Sequence, residues 1–387
     1  MEKVSLVDKY VSDTGRIYLT GIQALVRLML VQRRRDLAAG LNTAGFVSGY
    51  RGSPLGGLDE ALWQAESQLG AHHVVFTPGV NEELAATAVW GTQQLELTGG
   101  SNYDGVFALW YGKGPGVDRC GDVFKHMNHA GTAPHGGVLL VAGDDHGAYS
   151  STLPHQSDHV FSACMIPMLY PCNVQEYLDL GLHAWAMSRF SGCAVGFKAL
   201  ADTVESSASV DADPFRLKIV YPQAFAMPQQ GLNTRLSTDT LGMQARAQEA
   251  LMQDYKIYAA IAYARANRLN RTMIDSPQAR LGIIASGKSY LDVLEALEEL
   301  GIDTQGAADI GIRVYKVAMP WPLEPDGIRE FAQGLDEILV VEEKRQIVEY
   351  QLKEQLYNWR EDVRPRVIGK FDEKGEWVNQ RGDWLLS

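Results

Sequence analysis

Two groups of residues in this 387-residue chain have types and spacings that could do chemistry. In the stretch 77–94, TPGVNEELAATAVWGTQQ, Asn81 is a suitable helix N-cap and Glu82 and Glu83 fall in the first turn, where acidic side chains complement the helix dipole. Leu84, Ala85, Ala86, Ala88 and Gly91 follow, small or apolar residues that let another surface come close. A carboxylate at the mouth of such a helix could be partly desolvated and still reach a ligand nitrogen, holding or sharing its proton. The same stretch also reads as a plain helix start with ordinary first-turn acids. The second group is His155-Gln156-Ser157-Asp158-His159, with Asp144, Asp145 and His146 shortly before it. On a helix, His155 and His159 at i,i+4 could share one zinc ion, the ligand set of a metal-dependent hydrolase using Asp144, His146, His155 and His159. No convincing helical pattern holds that run after Pro154, and such histidines are more often hydrogen-bonded core or surface groups. His126 and His129 could likewise face one way on a helix and are read in the same manner.

Short apolar runs ending in glycine-rich turns must position these residues. Residues 44–48 read as a buried strand that enters Gly49-Tyr50-Arg51-Gly52-Ser53-Pro54-Leu55-Gly56-Gly57, followed by a helix over 58–69. Residues 74–76 form a second strand before the Glu82 helix. A third, 104–110, leads to a glycine loop through Lys113, Gly114, Gly116 and Asp118, and a fourth, 138–141, leads to Gly143-Asp144-Asp145-His146-Gly147. Four strand-to-turn transitions of this kind predict one doubly wound sheet with its site along the carboxyl edge. The turns match neither of the two common phosphate-binding glycine patterns. A helix over 181–189 and a strand over 193–199 continue the alternation.

From about residue 205 the texture becomes polar, and 221–240 mixes Pro, Gln, Gly, Asn and Thr without periodicity, as a connecting loop would. Residues 244–269 are helical in composition. A second α/β unit begins at 281: strands over 281–287, 314–317 and 338–341, helices over 288–300 and 347–359, Gly301 as a helix stop, and a proline-fixed turn at 319–323. The polar, Trp-containing tail 370–387 shows no pattern that closes a domain.

Composition narrows the function classes. Hydrophobic content of 46% is ample for buried cores. A net charge of −12 disfavours nucleic acid as a main partner, because phosphate binding needs basic surface. Arg33-Arg34-Arg35, at the end of an apolar run, reads as a solvated helix end. Residues 25–31 are far shorter than the ~20 apolar residues of a membrane span, and the N-terminal MEKVSLVDKY lacks an apolar signal core, so a cytoplasmic protein is expected. Cys120, Cys164, Cys172 and Cys193 are scattered without a CxxC pair, which predicts buried reduced thiols rather than a disulfide framework or cluster ligands.

Taken together, Gly49-Tyr50-Arg51-Gly52-Ser53-Pro54-Leu55-Gly56, Asn81-Glu82-Glu83, and Ala142-Gly143-Asp144-Asp145-His146 through Ser150-Ser151 resemble the first domain of the indolepyruvate:ferredoxin oxidoreductases, members of the thiamine-diphosphate 2-oxoacid:ferredoxin oxidoreductases. Residues 281–290, 316–323 and 339–343 resemble the transketolase C-terminal-like domain that follows in those proteins. The resemblance implies two doubly wound, mainly parallel α/β domains. A pyrimidine-binding domain would span 1–240, a helical connector 241–280 and the transketolase-C-like domain 281–387. It further implies oxidative decarboxylation of an aryl-pyruvate such as indolepyruvate, with coenzyme A as acceptor and ferredoxin as oxidant.

In this family the glutamate matching Glu82 hydrogen-bonds the pyrimidine ring of thiamine diphosphate and prepares the cofactor to attack the 2-oxo carbon. Glu82 is thus the implied catalytic residue, and Glu83 points elsewhere. Gly52, Ser53, Pro54, Gly114, Gly116 and Asp118 are the implied cofactor-binding positions; Ser53, Asp144 and His146 the implied substrate-binding ones. Ser53 also reads simply as a turn-forming Ser-Pro. Related pyruvate enzymes carry an arginine near the position of Asp144, a departure that favours aryl-pyruvates. The chain has no GDG motif for the diphosphate and Mg²⁺ and no cysteine spacing for a [4Fe–4S] cluster. Those parts are expected on a partner subunit or a continuation of the chain, in an oligomeric assembly, and this chain alone is expected to be inactive. A non-catalytic assembly module is the other reading of half a site.

Overall fold

The computed structural model describes residues 5–372 and 374, so the tail reading over 375–387 lies outside the described residues. The chain divides into two compact units, Met1–Tyr263 and Ala264–Ser387. The division falls inside the segment expected to be a helical connector.

In the first unit β1 (Arg16–Thr20) precedes helix α1 (Gly21–Ala38). The helix therefore begins only at Gly21. Thr20 is instead the N-cap, in a reciprocal capping box with Gln23. β1 is drawn into a strand by antiparallel pairing with β8 (Ser207–Asp211), almost two hundred residues away in the polar stretch that begins near 205. Arg33, Arg34 and Arg35 are not a solvated end. Arg33 is buried and donates to Asn42, Arg34 pairs with Asp13 and donates to the Tyr10 carbonyl, and Arg35 donates to the carbonyls of Pro214 and Leu217. The guanidinium fork lets Arg34 and Arg35 each hold more than one acceptor at once.

The main sheet contains β2 (Ala44–Gly49), β3 (Val74–Phe76), β4 (Val106–Lys113), β5 (Val138–Asp144), β6 (Met168–Leu169) and β7 (Val195–Leu200), all parallel, in the order β3-β2-β4-β5-β7-β6. β4, VFALWYGK, and β5, VLLVAGD, are buried along nearly their whole length, as parallel strands covered on both faces must be. The order reverses at β2, whose neighbours are β3 on one side and β4 on the other. The carboxyl ends around that switch point are where an open α/β sheet leaves a crevice. Register pairs Gly49 with Tyr111 and Lys113 with Gly143, which aligns the ends of β2, β4 and β5.

Helix α2 (Glu82–Thr92) follows β3, and α3 (Gly114–Arg119), α4 (Gly121–Ala130), α5 (Asp158–Ala163) and α6 (Val174–Ser191) complete the layers. Both ends of α2 are pinned. Asn81 Oδ1 accepts the Leu84 N–H at 2.8 Å, and Gln93, wholly buried, accepts the N–H groups of Ala133 and Gly137 and donates to the Val106 carbonyl. Residues 221–240 are irregular, as their composition predicts. Helices α7 (Leu241–Leu251) and α8 (Ile257–Ala266) are joined by a π-helical turn at Met252–Lys256.

In the second unit β9 (Arg271–Ile274), β10 (Leu281–Ser286), β11 (Ile312–Val317), β12 (Glu337–Val341) and β13 (Arg366–Ile368) form a sheet in the order β13-β12-β10-β11-β9, parallel except for β9. Helix α9 (Lys288–Glu299) ends near Gly301 at φ +70°, and α10 (Val348–Leu356) starts on the Glu342 carboxylate, which accepts the N–H groups of Ile347, Val348 and Glu349. The proline turn is held by Gln351, which bonds the Leu323 N–H and the Pro320 carbonyl. β9 and β13, three or four residues each, carry too little pattern to be read from sequence. The fold is α/β, two doubly wound mainly parallel sheets. All four cysteines are buried.

Candidate functional site

Glu82 is the first residue of α2 and is 6% exposed. Its carbonyl accepts the buried indole N–H of Trp110 at 3.0 Å, so the start of the helix is tied to β4. Its side chain passes over Gly116. A Cβ there would lie 2.5 Å from Glu82 Cγ and 3.0 Å from Oε1. Gly112 adds to the same floor, its Cβ position being 3.5 Å from Glu82 Cγ. A side chain at Gly116 would thus collide with the glutamate, whereas one at Gly112 would meet it at ordinary contact distance. Arg119, one turn beyond Gly116 on the same element, brings Nη1 to 3.3 Å from Glu82 Oε2 while remaining half exposed.

The segment carrying Gly114, Gly116 and Asp118 is not the loop expected from sequence. β4 runs to Lys113 and turns directly into α3, with Pro115 in its first turn. Proline's fixed φ suits that position, so the glycine content marks close packing rather than irregular backbone. At Gly114 a Cβ would overlap the imidazole of His155. His155 Nε2 lies 2.9 Å from Asp118 Oδ2, and Nδ1 lies 3.6 Å from Asp144 Oδ1, an ion-pair rather than a hydrogen-bond distance. Asp144, chiefly, holds His155 above its ordinary range; burial opposes this and Asp118 adds to it.

Asp144 ends β5 with no exposed surface and accepts both the Ser157 N–H (2.9 Å) and its hydroxyl (2.7 Å). Burial alone would raise this carboxyl. His155, Lys198, His146 and the Ser157 N–H together hold it below its usual range. Lys198 pairs with Asp158 at 2.8 Å, both buried. Asp145 accepts the N–H groups of Tyr149, Ser150 and Ser151 and so folds the turn that follows β5.

That turn meets the one after β2. Ser53 Oγ bonds Ser150 Oγ, and the Ser151 hydroxyl donates to the Ser53 carbonyl at 3.1 Å. The Ser53–Pro54 peptide is cis, and Pro54 and Leu55 pack on Gly143, whose Cβ would come within 3.1 Å of both. Gly52 lies against the Lys113 stem. The sequence-predicted residues Gly52, Ser53, Pro54, Glu82, Gly114, Gly116, Asp118 and Asp144 thus belong to one chain of contacts at the carboxyl edge. His146 lies beside them and is 3% exposed. Asp144 has no exposed surface and His146 almost none.

Sequence reasoning missed Arg119, which has no pattern of its own, and the partnership of His155 with Asp118. The zinc arrangement does not form. His155 precedes α5 while His159 lies within it, and no group of three or more His, Cys, Asp or Glu among the described residues is placed to hold a metal ion. His126 faces Asp122 and stacks on Trp90. Cys120, near Glu82, is no reactive thiol: burial, then the charge of Glu82, pushes it far up.

Residues 270–387 match the indolepyruvate ferredoxin oxidoreductase middle domain. The indolepyruvate oxidoreductase subunit IorA of Methanothermobacter marburgensis is 26% identical over 340 residues, covering 87% of this chain and 48% of that protein. The corresponding subunit of Pyrococcus abyssi is 25% identical over 359 residues, 91% of this chain and 49% of that one. The chain spans about half the length of the curated relatives it matches. A 2-oxoglutarate:ferredoxin oxidoreductase from Magnetococcus marinus, solved with 2-oxoglutarate, coenzyme A and succinyl-CoA bound, shares the fold with a TM-score of 0.63 at 14% identity, over 92% of this chain and 62% of that one. Among the described residues no helix is long and apolar enough to cross a membrane.

Proposed function

We propose that this chain, a relative of the indolepyruvate oxidoreductase subunits, supplies the pyrimidine-binding half of a thiamine-diphosphate site in a 2-oxoacid:ferredoxin oxidoreductase acting on an aryl-pyruvate. The observation that carries the reading is the Glu82 carboxylate, buried at the switch-point edge of a doubly wound sheet and packed over Gly116, where any Cβ would collide with it. The fit is one of donor chemistry: a buried carboxylate acceptor packed against a glycine suits the N–H of a nitrogen heterocycle. When bound, the cofactor would supply the carbanion and electron-sink chemistry that decarboxylating a 2-oxoacid requires.

Glu82 would hold or share the proton of a ring nitrogen, from a position where water is largely displaced. Gly116 and Gly114 keep α3 close to that ring, Gly52 and Pro54 shape the facing turn, and Asp118 secures α3 through His155. Ser53 would meet the carboxylate of the 2-oxoacid. Asp144 and His146, both buried, would act from behind it, Asp144 by holding Ser157 and His155 in place. Diphosphate, Mg²⁺ and [4Fe–4S] binding are assigned to a partner subunit or to further sequence, with ferredoxin and coenzyme A as co-substrates of the assembly. The cytoplasm is the proposed compartment.

The test is indolepyruvate- and coenzyme-A-dependent reduction of a viologen dye by this chain combined with its partner domain, thiamine diphosphate and Mg²⁺, with Glu82→Gln alongside. Turnover that collapses in the variant is the expected result. Equal turnover in both would remove Glu82 from catalysis. Complex formation without turnover on any 2-oxoacid would leave the assembly-module reading ahead.

A further inference from the structure

On the first unit, away from the Glu82 edge, a cleft runs between the end of α4 and the start of the 241–266 helical segment. Its wall includes His129, Arg235, Asp239, Gln244, Gln248 and Lys256. Lys256 is the last residue of the π-helical turn and is 1% exposed. Such turns are uncommon and concentrate at functional positions. Here the turn buries Met252 and Lys256 together against the end of α4, where the Asn128 amide meets the Met252 sulfur.

The Lys256 ammonium donates to the carbonyls of Asn128 (3.0 Å) and His129 (3.1 Å), in the last turn of α4. Those carbonyls are dipoles, not charges. An ammonium has three N–H donors, so one remains. No carboxylate among the described residues pairs with it. The charged or ionisable neighbours that perturb it are the Cys193 thiol, itself pushed up to about 11 by burial, and Arg235. Arg235, exposed on the wall of the cleft, uses one N–H on the Gln230 carbonyl. Asp239, the acid on the wall, is turned towards Ser237, whose Oγ lies 3.2 Å from its Oδ2. A buried cation with no counter-charge is costly, and a second cation beside it adds to the cost.

We propose that this cleft binds a small oxyanion, phosphate or carboxylate, held between the third N–H of Lys256 and the Arg235 guanidinium, with the Gln244 and Gln248 amides beside it. The ligand supplies the missing counter-charge. Its negative charge also opposes the lowering of the Lys256 proton affinity, which burial, and then Arg235, holds down to about 8. Binding near pH 8 is therefore coupled to proton uptake. This site is independent of the thiamine-diphosphate reading and stands or falls without it.

The experiment uses the full chain at pH 8 with sodium phosphate, pyrophosphate or succinate, each against sodium chloride at matched ionic strength. Thermal unfolding and titration calorimetry in two buffers of different ionisation enthalpy give affinity and proton uptake. The expected result is saturable stabilisation by at least one oxyanion, absent with chloride, accompanied by net proton uptake. Phosphate or succinate responding alone identifies which source the site takes. Arg235→Ala, a change on an exposed side chain, should weaken binding roughly tenfold or more, the loss of one charge-assisted hydrogen bond. Lys256→Arg should keep the anion but abolish the proton uptake, which separates its role from a purely structural cap. Equal responses to chloride and the oxyanions, or unchanged affinity in Arg235→Ala, overturns the proposal.

Discussion

Arg119 Nη1 stands 3.3 Å from Glu82 Oε2, a half-exposed guanidinium on a carboxylate that is 8% exposed at its side chain. The pair joins the first turn of α2 to the last turn of α3, and Gly116 between them lets the two helices meet. In the proposed function the proton-sharing carboxylate is thus matched to a permanent cation that is half exposed to solvent. Glu82→Gln should lower 2-oxoacid-dependent dye reduction about 10²- to 10⁴-fold, the usual contribution of a positioned proton-transfer group. Arg119→Ala should shift stability by no more than about 1 kcal/mol, since the pair is open to solvent on one side. Denaturant titration of both variants beside the dye assay separates the two effects.

Gly116→Ala places a methyl 2.5 Å from Glu82 Cγ. Neither the helix start, tied to Trp110, nor α3 can retreat easily, so the carboxylate must rotate off its floor. The expected outcome is a folded protein with circular dichroism like the parent and activity reduced to the level of Glu82→Gln. Activity at the parent level would show that the floor is not used.

His155 gives a pH signature. Its folded value lies above 6.5, chiefly through Asp144. A histidine raised in this way stabilises the fold fully below its unfolded value of about 6.5 and loses that contribution as pH rises through the folded one. His155→Gln should therefore cost most stability near pH 5.5, and the gap to the parent should narrow by pH 9. Urea unfolding at the two pH values measures it. A gap of constant size would mean that His155 is neutral throughout.

Glu342 predicts the opposite use of an acid. Burial, the largest influence, pushes it up to about 7 against three backbone N–H groups that favour its charged form, and Glu349 adds to the rise. A carboxyl whose folded value exceeds its unfolded 4.5 contributes stability below pH 4.5 that is lost as pH rises through about 7. The whole effect is on the order of 3 kcal/mol at most. Hydrogen exchange of amides in β12 and α10 should show protection falling across that window in the parent and a flatter profile in Glu342→Gln.

Much of the architecture is visible in the chain itself. Buried parallel strands are uninterrupted apolar runs, so 44–48, 104–110, 138–141 and 281–287 stand out beside their glycines. Asn81 followed by two acids announces a helix start in any context. Elements that exist only by pairing are not visible: Arg16–Thr20 and Ser207–Asp211 are polar on one face and become strands because each completes the other. The same is true of Met168–Leu169, two residues at a sheet edge.

What the amino-acid order determined by itself is the set of local preferences: the strand and helix alternation, the N-cap at Asn81, the glycines at 52, 114 and 116, and a carboxylate at 82 among small residues. These follow from backbone sterics, hydrophobic period and capping, all of which act within a few residues. Which groups meet was decided only by the tertiary structure. Arg119 reaches Glu82 because β4 and β3 flank β2 in the sheet, His155 lies between Asp118 and Asp144 because a turn folds back across three strand ends, and Lys256 is buried without a counter-charge because a π-helical turn aims it at the end of α4. Charge and proton affinity depend on distance and burial, and neither is a property of neighbours in sequence.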